Sequence, residues 1–304
     1  MVRKLLTKPI WWWERKRSYP IRFQFHNLPP IRVEKSSFRF VVLTTVAALP
    51  DAMWTAWSWY RFLQPLSFEL HLAVDGELPE AEAFAVRRIF PGISIYNVNV
   101  LVQPICRQWP RFGAFFNGHW CAKQVGLVLA LSRESSVLYS DHDVLAFNSP
   151  SELISHVRNG TPCYFTDEDT SCHDSFIVGQ SKRLGLNYIP NLNGGFIYVP
   201  RDAYSPELAD QLLADWSTAP YCYFTPQTVQ SVLMRQANGQ ALPKERYVIS
   251  NRRQFYFQED VDYRTIAARH FTGTVRHVMY RAGIPAILRQ ARFANAHEGS
   301  AWHD

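Results

Sequence analysis

The chain has 304 residues, 47% of them hydrophobic and 14% aromatic, which is enough for a large α/β domain and excludes a largely disordered protein. Its five cysteines are scattered singly, which excludes a disulfide scaffold and a structural zinc site and favours a reducing, cytoplasmic compartment. The net charge of +6 is concentrated at one end, and the near-neutral remainder argues against nucleic acid as a partner.

The basic charge belongs to an N-terminal arm, residues 1–37. Residues 1–39 contain ten Lys or Arg and two Glu, whereas the rest of the chain contains 22 basic and 24 acidic residues. Trp11, Trp12 and Trp13 lie within this stretch. Two interpretations stay open: peripheral contact with an anionic membrane surface, or a solvated arm whose tryptophans pack on the domain. The apolar runs near the start are too short and interrupted for a secretory signal or a membrane span.

After the arm, short apolar runs alternate with helical segments, the pattern of a doubly wound α/β sheet with helices on both faces. A first strand over 38–46 is followed by a helix that Asp51 is expected to cap. Further strands are predicted over 68–74, 93–98, 137–140, 163–166, 195–199 and 247–249, and further helices over 80–89, 114–131, 150–157, 206–216 and 226–235. The acidic stretch 167–180 is predicted to be an irregular loop over a site.

Ligands of such sheets gather at the carboxyl ends of the parallel strands. This places the residues after strands one, two and four at one edge of the sheet. They are Thr44, Thr45 and Val46; Asp75; and Asp141, His142 and Asp143.

The most specific local feature is V-L-Y-S-D-H-D-V-L, residues 137–145. Asp141 and Asp143 follow a buried hydrophobic strand directly. Paired carboxylates suit Mg²⁺ or Mn²⁺, which can bridge the two phosphates of a nucleotide diphosphate. A solvated turn with two acidic residues is the alternative for this segment taken alone.

Three segments together resemble GT-A-fold glycosyltransferases of the retaining family 8 type. They are Y-S-D-H-D at 139–143, N-L-N-G-G-F-I-Y-V at 191–199 and H-F-T-G-T-V-R at 270–276. Three motifs in the right order are far more specific than one. The resemblance implies a GT-A domain, Rossmann-like with a mixed sheet, over residues 38–283, followed by a basic tail over 284–304.

The resemblance also implies roles for individual residues. Asp141, Asp143 and His270 would bind Mn²⁺ or Mg²⁺. Lys123 and Arg276 would contact the donor and its diphosphate, and Gly273 would let the backbone approach the phosphates.

The remaining implied roles concern the sugar and the nucleoside. Asn193 and Gly194 would lie along the sugar, and Gln227 would orient it. Thr44, Thr45, Val46 and Asp75 would cradle the nucleoside, while His142 belongs to the donor-binding segment with its side chain expected to point away. Each of these residues also has an ordinary structural alternative, such as a turn, a helix-surface lysine or a partly buried histidine.

The implied function is metal-dependent transfer of a sugar from a nucleotide diphosphate, UDP by analogy, with retention of configuration. The acceptor stays open between a glycan, a glycolipid and a protein. The chain departs from the family at Arg276, where a Lys is usual, and at Pro226-Gln227, where an Asp-Gln pair is usual. Asp167, Glu168 or Asp169 would supply a compensating carboxylate, and a solvated lid is the alternative for this stretch. An inverting enzyme would use such a carboxylate as general base, so retention and inversion both stay open.

The sequence also allows two functions other than sugar transfer. A non-catalytic protein that kept the fold to bind a nucleotide sugar or a glycan is the main alternative. A nucleotidyltransferase is disfavoured, because the stretch T-T-V-A-A-L-P after strand one has no glycine-rich phosphate loop.

Overall fold

A computed structural model of the chain describes residues 13, 16–33, 36, 38–168, 172–249, 261–273 and 275–290. The strands are β1 (Phe38–Thr45), β2 (Glu69–Asp75), β3 (Ser94–Asn97), β4 (Ser136–Asp141), β5 (Val144–Ala146), β6 (Cys163–Thr166), β7 (Leu192–Val199), β8 (Gln240–Ala241), β9 (Tyr247–Ile249) and β10 (Ala268–His270). The α-helices are α1 (Leu49–Leu63), α2 (Glu80–Ile89), α3 (Val98–Leu101), α4 (Gln103–Gln108), α5 (Pro110–Gly118), α6 (Lys123–Ser132), α7 (Ser151–Arg158), α8 (Ser175–Arg183), α9 (Pro206–Leu212), α10 (Thr225–Gln236) and α11 (Arg276–Val278).

The main sheet has seven strands in the order β3-β2-β1-β4-β7-β6-β8. Strands β3, β2, β1 and β4 run parallel, and β7 is antiparallel to both of its neighbours, β4 and β6. The predicted mixed, doubly wound α/β sheet is therefore confirmed. The register places Thr45 beside Asp75 and Leu43 beside Asp141, so the ends of β1, β2 and β4 meet at one edge as predicted.

Both faces of the sheet are buried, because successive side chains of each strand enter different cores. In β1, Phe40 packs with Trp54 and Trp59 of α1 on one face, whereas Val41 faces the other. The second face is covered by α5, α6 and α10. This arrangement confirms the predicted helices on both faces.

A smaller sheet, in the order β5-β10-β9, brings the end of the chain back to the carboxyl edge of β4. Strand β10 is antiparallel to β5, with His270 opposite Val144. The N–H of Phe271 donates to the carbonyl of Asp143 at 2.8 Å. These backbone bonds fix His270 beside the D-x-D segment although 127 positions separate it from Asp143 (270 − 143).

Two predicted elements are wrong. The single helix over 114–131 is broken between α5 and α6, because His119 is extended and its Nδ1 accepts the N–H of Cys121 at 3.2 Å. The stretch 167–180 is not a continuous loop, because α8 begins at Ser175. Asp174 caps that helix by accepting the N–H of Phe176 at 2.8 Å.

The segment before β1 packs on the domain. Tyr19–Asn27 forms a 3-10 helix in which Phe25 is buried. Arg22 donates through Nε and Nη2 to the two carboxylate oxygens of Asp51, each at 2.9 Å. Asp51 is therefore a buried ion-pair partner inside α1, and the prediction that it caps this helix is wrong. Tyr280, in the π-helix Met279–Gly283, donates to the same carboxylate at 2.9 Å.

The tryptophans of the arm are only partly within the described residues. Trp13 is exposed, with the guanidinium of Arg17 5.2 Å from its ring centre, whereas Trp11 and Trp12 lie outside the described part. Among the described residues, no helix combines the length and apolar character that crossing a bilayer requires.

Candidate metal centre and sugar-donor site

Three ligand groups converge at the carboxyl edge of the sheet. Asp141 ends β4, Asp143 follows it in the turn to β5, and His270 ends β10. Their nearest ligand atoms all lie within 4.8 Å of one another. Nε2 of His270 is 3.1 Å from Oδ1 of Asp143 and 3.9 Å from Oδ2 of Asp141. Asp143 and His270 are buried, while the Asp141 side chain is 29% exposed and leaves the cluster open to solvent on that side.

The tautomer of His270 follows from its partner. Oδ1 of Asn193 accepts the N–H of Gly195 at 3.0 Å, which identifies this atom as the amide oxygen. Nδ1 of His270, 2.9 Å from the same oxygen, must therefore donate to it. In the neutral ring, Nε2 then presents its lone pair to Asp143 and Asp141.

This donor set fits a divalent cation. Oδ1 of Asp143 is buried and makes no hydrogen bond within the described part of the chain, although Nε2 of His270 is close. Two lone pairs that face each other at 3.1 Å need a proton or a cation between them. Two carboxylates and one imidazole suit Mn²⁺ or Mg²⁺, and an outer hydrogen bond such as that from His270 to Asn193 is typical of metal-binding histidines.

The electrostatics of the cluster point the same way. Burial and the neighbouring charge of Asp143 raise the pKa of Asp141 to about 6. Burial also opposes ionisation of Asp143, but Arg276 and His270 outweigh it and hold the pKa of that carboxyl well below its ordinary range. Burial would lower the pKa of His270, yet Asp143 and Asp141 raise it above the ordinary value. Arg276 thus balances the charge of Asp143, and the carboxylate of Asp141 is the charge left for a cation to neutralise.

Two further side chains anchor the carboxylates. Nε and Nη2 of Arg276 both donate to Oδ2 of Asp143, the former at 3.1 Å, and Asp143 raises the pKa of this guanidinium. The Tyr139 hydroxyl donates to Oδ1 of Asp141. Each carboxylate thus keeps one anchored oxygen and turns the other towards His270.

Gly195 is the reason the cluster fits against β7. A Cβ on this residue would lie 2.2 Å from Cε1 of His270 and 2.8 Å from Oδ2 of Asp141. No side chain fits in that space. His270 and Asp141 can approach the backbone of β7 here because Gly195 has no side chain.

The residues expected along the sugar lie beside the metal cluster. Gly194 donates its N–H to Oε1 of Gln227 at 3.4 Å, and Nε2 of Gln227 donates to the carbonyl of Cys172 at 3.0 Å. Nδ2 of Asn193 donates to Oδ2 of the buried Asp167 at 3.2 Å. The structure therefore brings Asn193, Gly194 and Gln227 together. Asp167, one of the three residues considered as a source of a compensating carboxylate, lies beside them. Asp169 lies outside the described residues.

The residues expected around the nucleoside share the same edge. Nζ of Lys123 donates to Oδ1 of Asn99 at 2.6 Å, and Nδ2 of Asn99 donates to Oδ1 of Asp75 at 2.9 Å. Lys123 also lies 3.8 Å from the ring centre of Phe116. This lysine is thus linked through Asn99 to Asp75, which is adjacent to Thr45 in the sheet register.

The remaining predicted residues are less tightly arranged. Oγ1 of Thr44 donates to the carbonyl of Thr45 at 3.0 Å, and Val46 begins a short 3-10 helix. Gly273 has open space where a Cβ would project. Nε2 of His142 is buried and has no hydrogen-bond partner in the described ranges, and burial lowers the pKa of this imidazole to about 4. His142 is not among the three grouped ligands.

Neither a protein-family model nor a curated protein sequence matches the chain. Solved structures do match. Mouse xyloside xylosyltransferase 1 matches with a TM-score of 0.51 and 13% identity, over 81% of this chain and 99% of that one. The bifunctional glycosyltransferase WbbM matches with a TM-score of 0.52 and 14% identity, over 84% of this chain and 51% of that one. The galactosyltransferase LgtC, solved with donor and acceptor sugar analogues, matches with a TM-score of 0.50 and 15% identity, over 77% and 87%.

The chain has the GT-A glycosyltransferase fold. The resemblance that three short motifs indicated is confirmed at the level of fold. Within this GT-A fold, the Asp141–Asp143–His270 cluster lies at the carboxyl ends of the central parallel strands, where α/β sheets bind their ligands.

Four residues beside the candidate site were not predicted from the sequence. Tyr139 and Gly195 had a usable signal, because each lies two strand positions from a predicted residue and therefore shares its face. Asn99 had none, since its link to Lys123 depends on the path of the chain after β3. Gln124, directly after Lys123, lies against Gly194, and only the packing of α6 on β7 reveals this.

Proposed function

We propose that the chain is a metal-dependent glycosyltransferase that takes its sugar from a nucleotide diphosphate donor. The observation that carries the proposal is the convergence of Asp141, Asp143 and His270 within 4.8 Å at the ligand-binding edge of the sheet. Gly195 leaves room for His270 beside Asp141, and Nε2 of His270 faces Oδ1 of Asp143 at 3.1 Å, an arrangement that suits a divalent ion. UDP as the nucleotide and Mn²⁺ as the metal are favoured by the family 8 resemblance, with Mg²⁺ as the other candidate.

The residues present would each contribute to donor binding and departure of the leaving group. A divalent ion held by the three ligands supplies charge neutralisation for the departing diphosphate. Asn193 keeps Nε2 of His270 directed at the ligand position. Arg276, which donates to Asp143, would meet the diphosphate as it gains charge. Lys123 and Asp75, joined through Asn99, would hold the nucleoside side of the donor.

Retention of configuration is favoured by the family 8 resemblance alone. Gln227 and Asn193 lie on the proposed sugar side, and Asp167 accepts a hydrogen bond from Asn193. Pro226 removes the acidic residue that usually precedes this glutamine in the family. The buried carboxylate of Asp167 accepts a hydrogen bond from Asn193, which lies two residues before Gly195. We propose that Asp167 makes the contact with the sugar that the absent aspartate makes in the family.

The test is turnover of a panel of nucleotide sugars, including UDP-glucose, UDP-galactose and GDP-mannose, with Mn²⁺, with Mg²⁺ and with EDTA. Slow hydrolysis serves as the readout while the acceptor is unidentified. We expect metal-dependent release of one nucleotide by the wild type and its loss in Asp141→Asn. This variant is chosen because it leaves Asp143 paired with Arg276. Asp202→Asn, on an exposed aspartate paired with Arg201, is the matched control and should behave as wild type.

A non-catalytic protein that binds a nucleotide sugar is the second candidate, favoured by one observation, the proline at position 226. Metal-dependent donor binding without any hydrolysis or transfer would favour this candidate. Absence of donor binding under every metal condition would overturn both functions.

A further inference from the structure

One buried glutamine near the candidate site has no hydrogen bond to any residue that the structure describes. Gln230, in α10, is 0% exposed, and neither Oε1 nor Nε2 of its side chain has a partner in the residues that the structure describes. Buried side-chain amides are almost always hydrogen-bonded, because losing water without a replacement destabilises the folded state. An apolar residue of similar shape would avoid this cost. The glutamine is therefore better explained by a state of the protein in which it is paired.

The position of Gln230 connects it to the sugar side of the site. It lies three residues after Gln227, on the same face of α10. A Cβ on Gly194 would lie 3.4 Å from Oε1 of Gln230 and 3.3 Å from Nε2 of Gln124. Three glutamine side chains therefore meet at Gly194, where the N–H makes a long 3.4 Å bond to Oε1 of Gln227.

The backbone at Gly194 is irregular. Strand β6 pairs Tyr164 with Ile197 but Phe165 with Asn193, so the residues between them on β7 form a bulge. Bulged residues fall out of the ladder and often occur beside active sites. The N–H of Gly194 is therefore free of the sheet and depends on a side chain for its partner.

Gln227 would have two partners when a sugar binds. A sugar hydroxyl would draw its amide away from Gly194, and the hydrogen bond from the Gly194 N–H, at 3.4 Å, is long enough to be lost in that movement. Oε1 of Gln230 has no partner among the described residues and lies 3.4 Å from where a Cβ of Gly194 would stand, which makes it the candidate acceptor to replace Gln227 after a change of side-chain rotamer. The exchange keeps the backbone satisfied while Gln227 binds the sugar.

We infer that Gln230 is a positioning residue of the sugar subsite: it accepts the N–H of Gly194 when a neutral sugar draws Gln227 away. The inference rests on the proposed function. The sugar is neutral because the groups around the subsite are amides, which match hydroxyls, and because Asp167 on Asn193 would repel an acidic sugar. In the donor-free protein Gln230 remains unpaired.

The experiment separates the sugar from the nucleotide. Affinities of UDP-glucose, UDP-galactose and GDP-mannose, and of UDP and GDP, are measured by calorimetry with Mn²⁺ for wild type and Gln230→Leu. Gln230→Leu should bind the free nucleotides as wild type does, and should bind the preferred nucleotide sugar about 3–10-fold more weakly. Its melting temperature should equal or exceed that of wild type, because an unpaired buried amide has been removed.

Gln180→Leu is the matched control. Gln180 is also a buried glutamine, but its Nε2 donates to the carbonyl of Ala214 at 2.8 Å. This variant should show the opposite pattern, a lower melting temperature with unchanged affinity for the nucleotide sugar.

The outcomes are distinguishable. Unchanged affinity of Gln230→Leu for the nucleotide sugar, with wild type binding it, would overturn the inference and leave the proposed function intact. A clear fall in the melting temperature of Gln230→Leu would also overturn it, because the amide would then be paired in the free protein. Failure of wild type to bind any nucleotide sugar would remove the inference together with the proposed function.

Discussion

Gly195 and His270 are in contact so close that a Cβ on the glycine would lie 2.2 Å from Cε1 of the imidazole. The neighbouring Gly194 is different, because a Cβ there would meet only the ends of two glutamine side chains at 3.3–3.4 Å. Two adjacent glycines in one strand therefore have different structural roles. Gly195 admits His270, a proposed metal ligand, whereas Gly194 borders the proposed sugar subsite.

Gly195→Ala should disrupt the metal centre. The added methyl group must displace His270 or Asp141, at a cost of about 1–3 kcal/mol in the free energy of unfolding. Affinity for Mn²⁺ by calorimetry should fall sharply. Gly194→Ala is the control, since flexible side chains can give way, and it should keep Mn²⁺ affinity close to wild type. An equal loss of Mn²⁺ affinity in Gly195→Ala and Gly194→Ala would contradict the different roles proposed for the two glycines.

Asn193→Ala should weaken metal binding without removing a ligand. Asn193 fixes the tautomer of His270, and loss of such an outer hydrogen bond typically lowers metal affinity about 10–100-fold. Asn148→Ala is a suitable control, because the Asn148 amide donates only to the carbonyls of Tyr263 and Ile266. It should lose stability with its Mn²⁺ affinity unchanged. Wild-type affinity in Asn193→Ala would show that the hydrogen bond does not orient His270.

The buried pair of Arg22 and Asp51 should attach the N-terminal segment to the domain. Their side chains are 4% and 2% exposed. Asp51→Ala leaves a buried guanidinium unpaired and should cost about 3–5 kcal/mol in the free energy of unfolding by urea. The double variant Arg22→Met/Asp51→Leu removes both charges and should recover most of that loss. A double variant no more stable than Asp51→Ala would argue that packing, not the unpaired charge, sets the cost.

His71 should make stability depend on pH. Burial lowers its pKa below the ordinary 6.5, although a hydrogen bond with Glu69 opposes the shift. Below about pH 6.5 the unfolded chain binds a proton that the folded chain does not, so stability falls as pH falls through that range. Between pH 7 and 5, His71→Gln should lose less stability than wild type, by at most about 1.4 kcal/mol per pH unit in urea unfolding. Parallel pH profiles would count against a neutral buried His71.

The convergence of Asp141, Asp143 and His270 was predictable because the sequence signals of its segments are local. The D-x-D segment follows an apolar strand, and the H-x-x-G-x-x-R segment carries its own spacing. The order of the motifs then predicted that Asp141 and Asp143 lie in one site with His270, more than a hundred residues later in the chain. Fold class followed from the alternation of strands and helices, whose positions depend on runs of apolar residues.

The errors arose where distant contacts decide local structure. At His119, where the predicted helix is broken, Nε2 donates to the carbonyl of Cys222 at 2.9 Å. No local sequence pattern predicts this contact. The local sequence around Asp51 is typical of a helix cap, but Asp51 pairs with Arg22, 29 residues earlier. Gln230 looks like an ordinary helix residue, and only the meeting of α10 with the bulge in β7 makes it unusual. The start of α8 did have a local signal, the cap Asp174, within a polar stretch that suggested a loop.

The most direct test of the central claim is the affinity of UDP, measured by calorimetry at increasing Mn²⁺ concentration and in EDTA, for wild type and Asp141→Asn. If Asp141, Asp143 and His270 hold the ion that binds the diphosphate, UDP affinity should rise with Mn²⁺ and disappear in EDTA, and Asp141→Asn should lose this dependence. Equal UDP affinity in Mn²⁺ and EDTA, or an unchanged Mn²⁺ dependence in Asp141→Asn, would contradict the account.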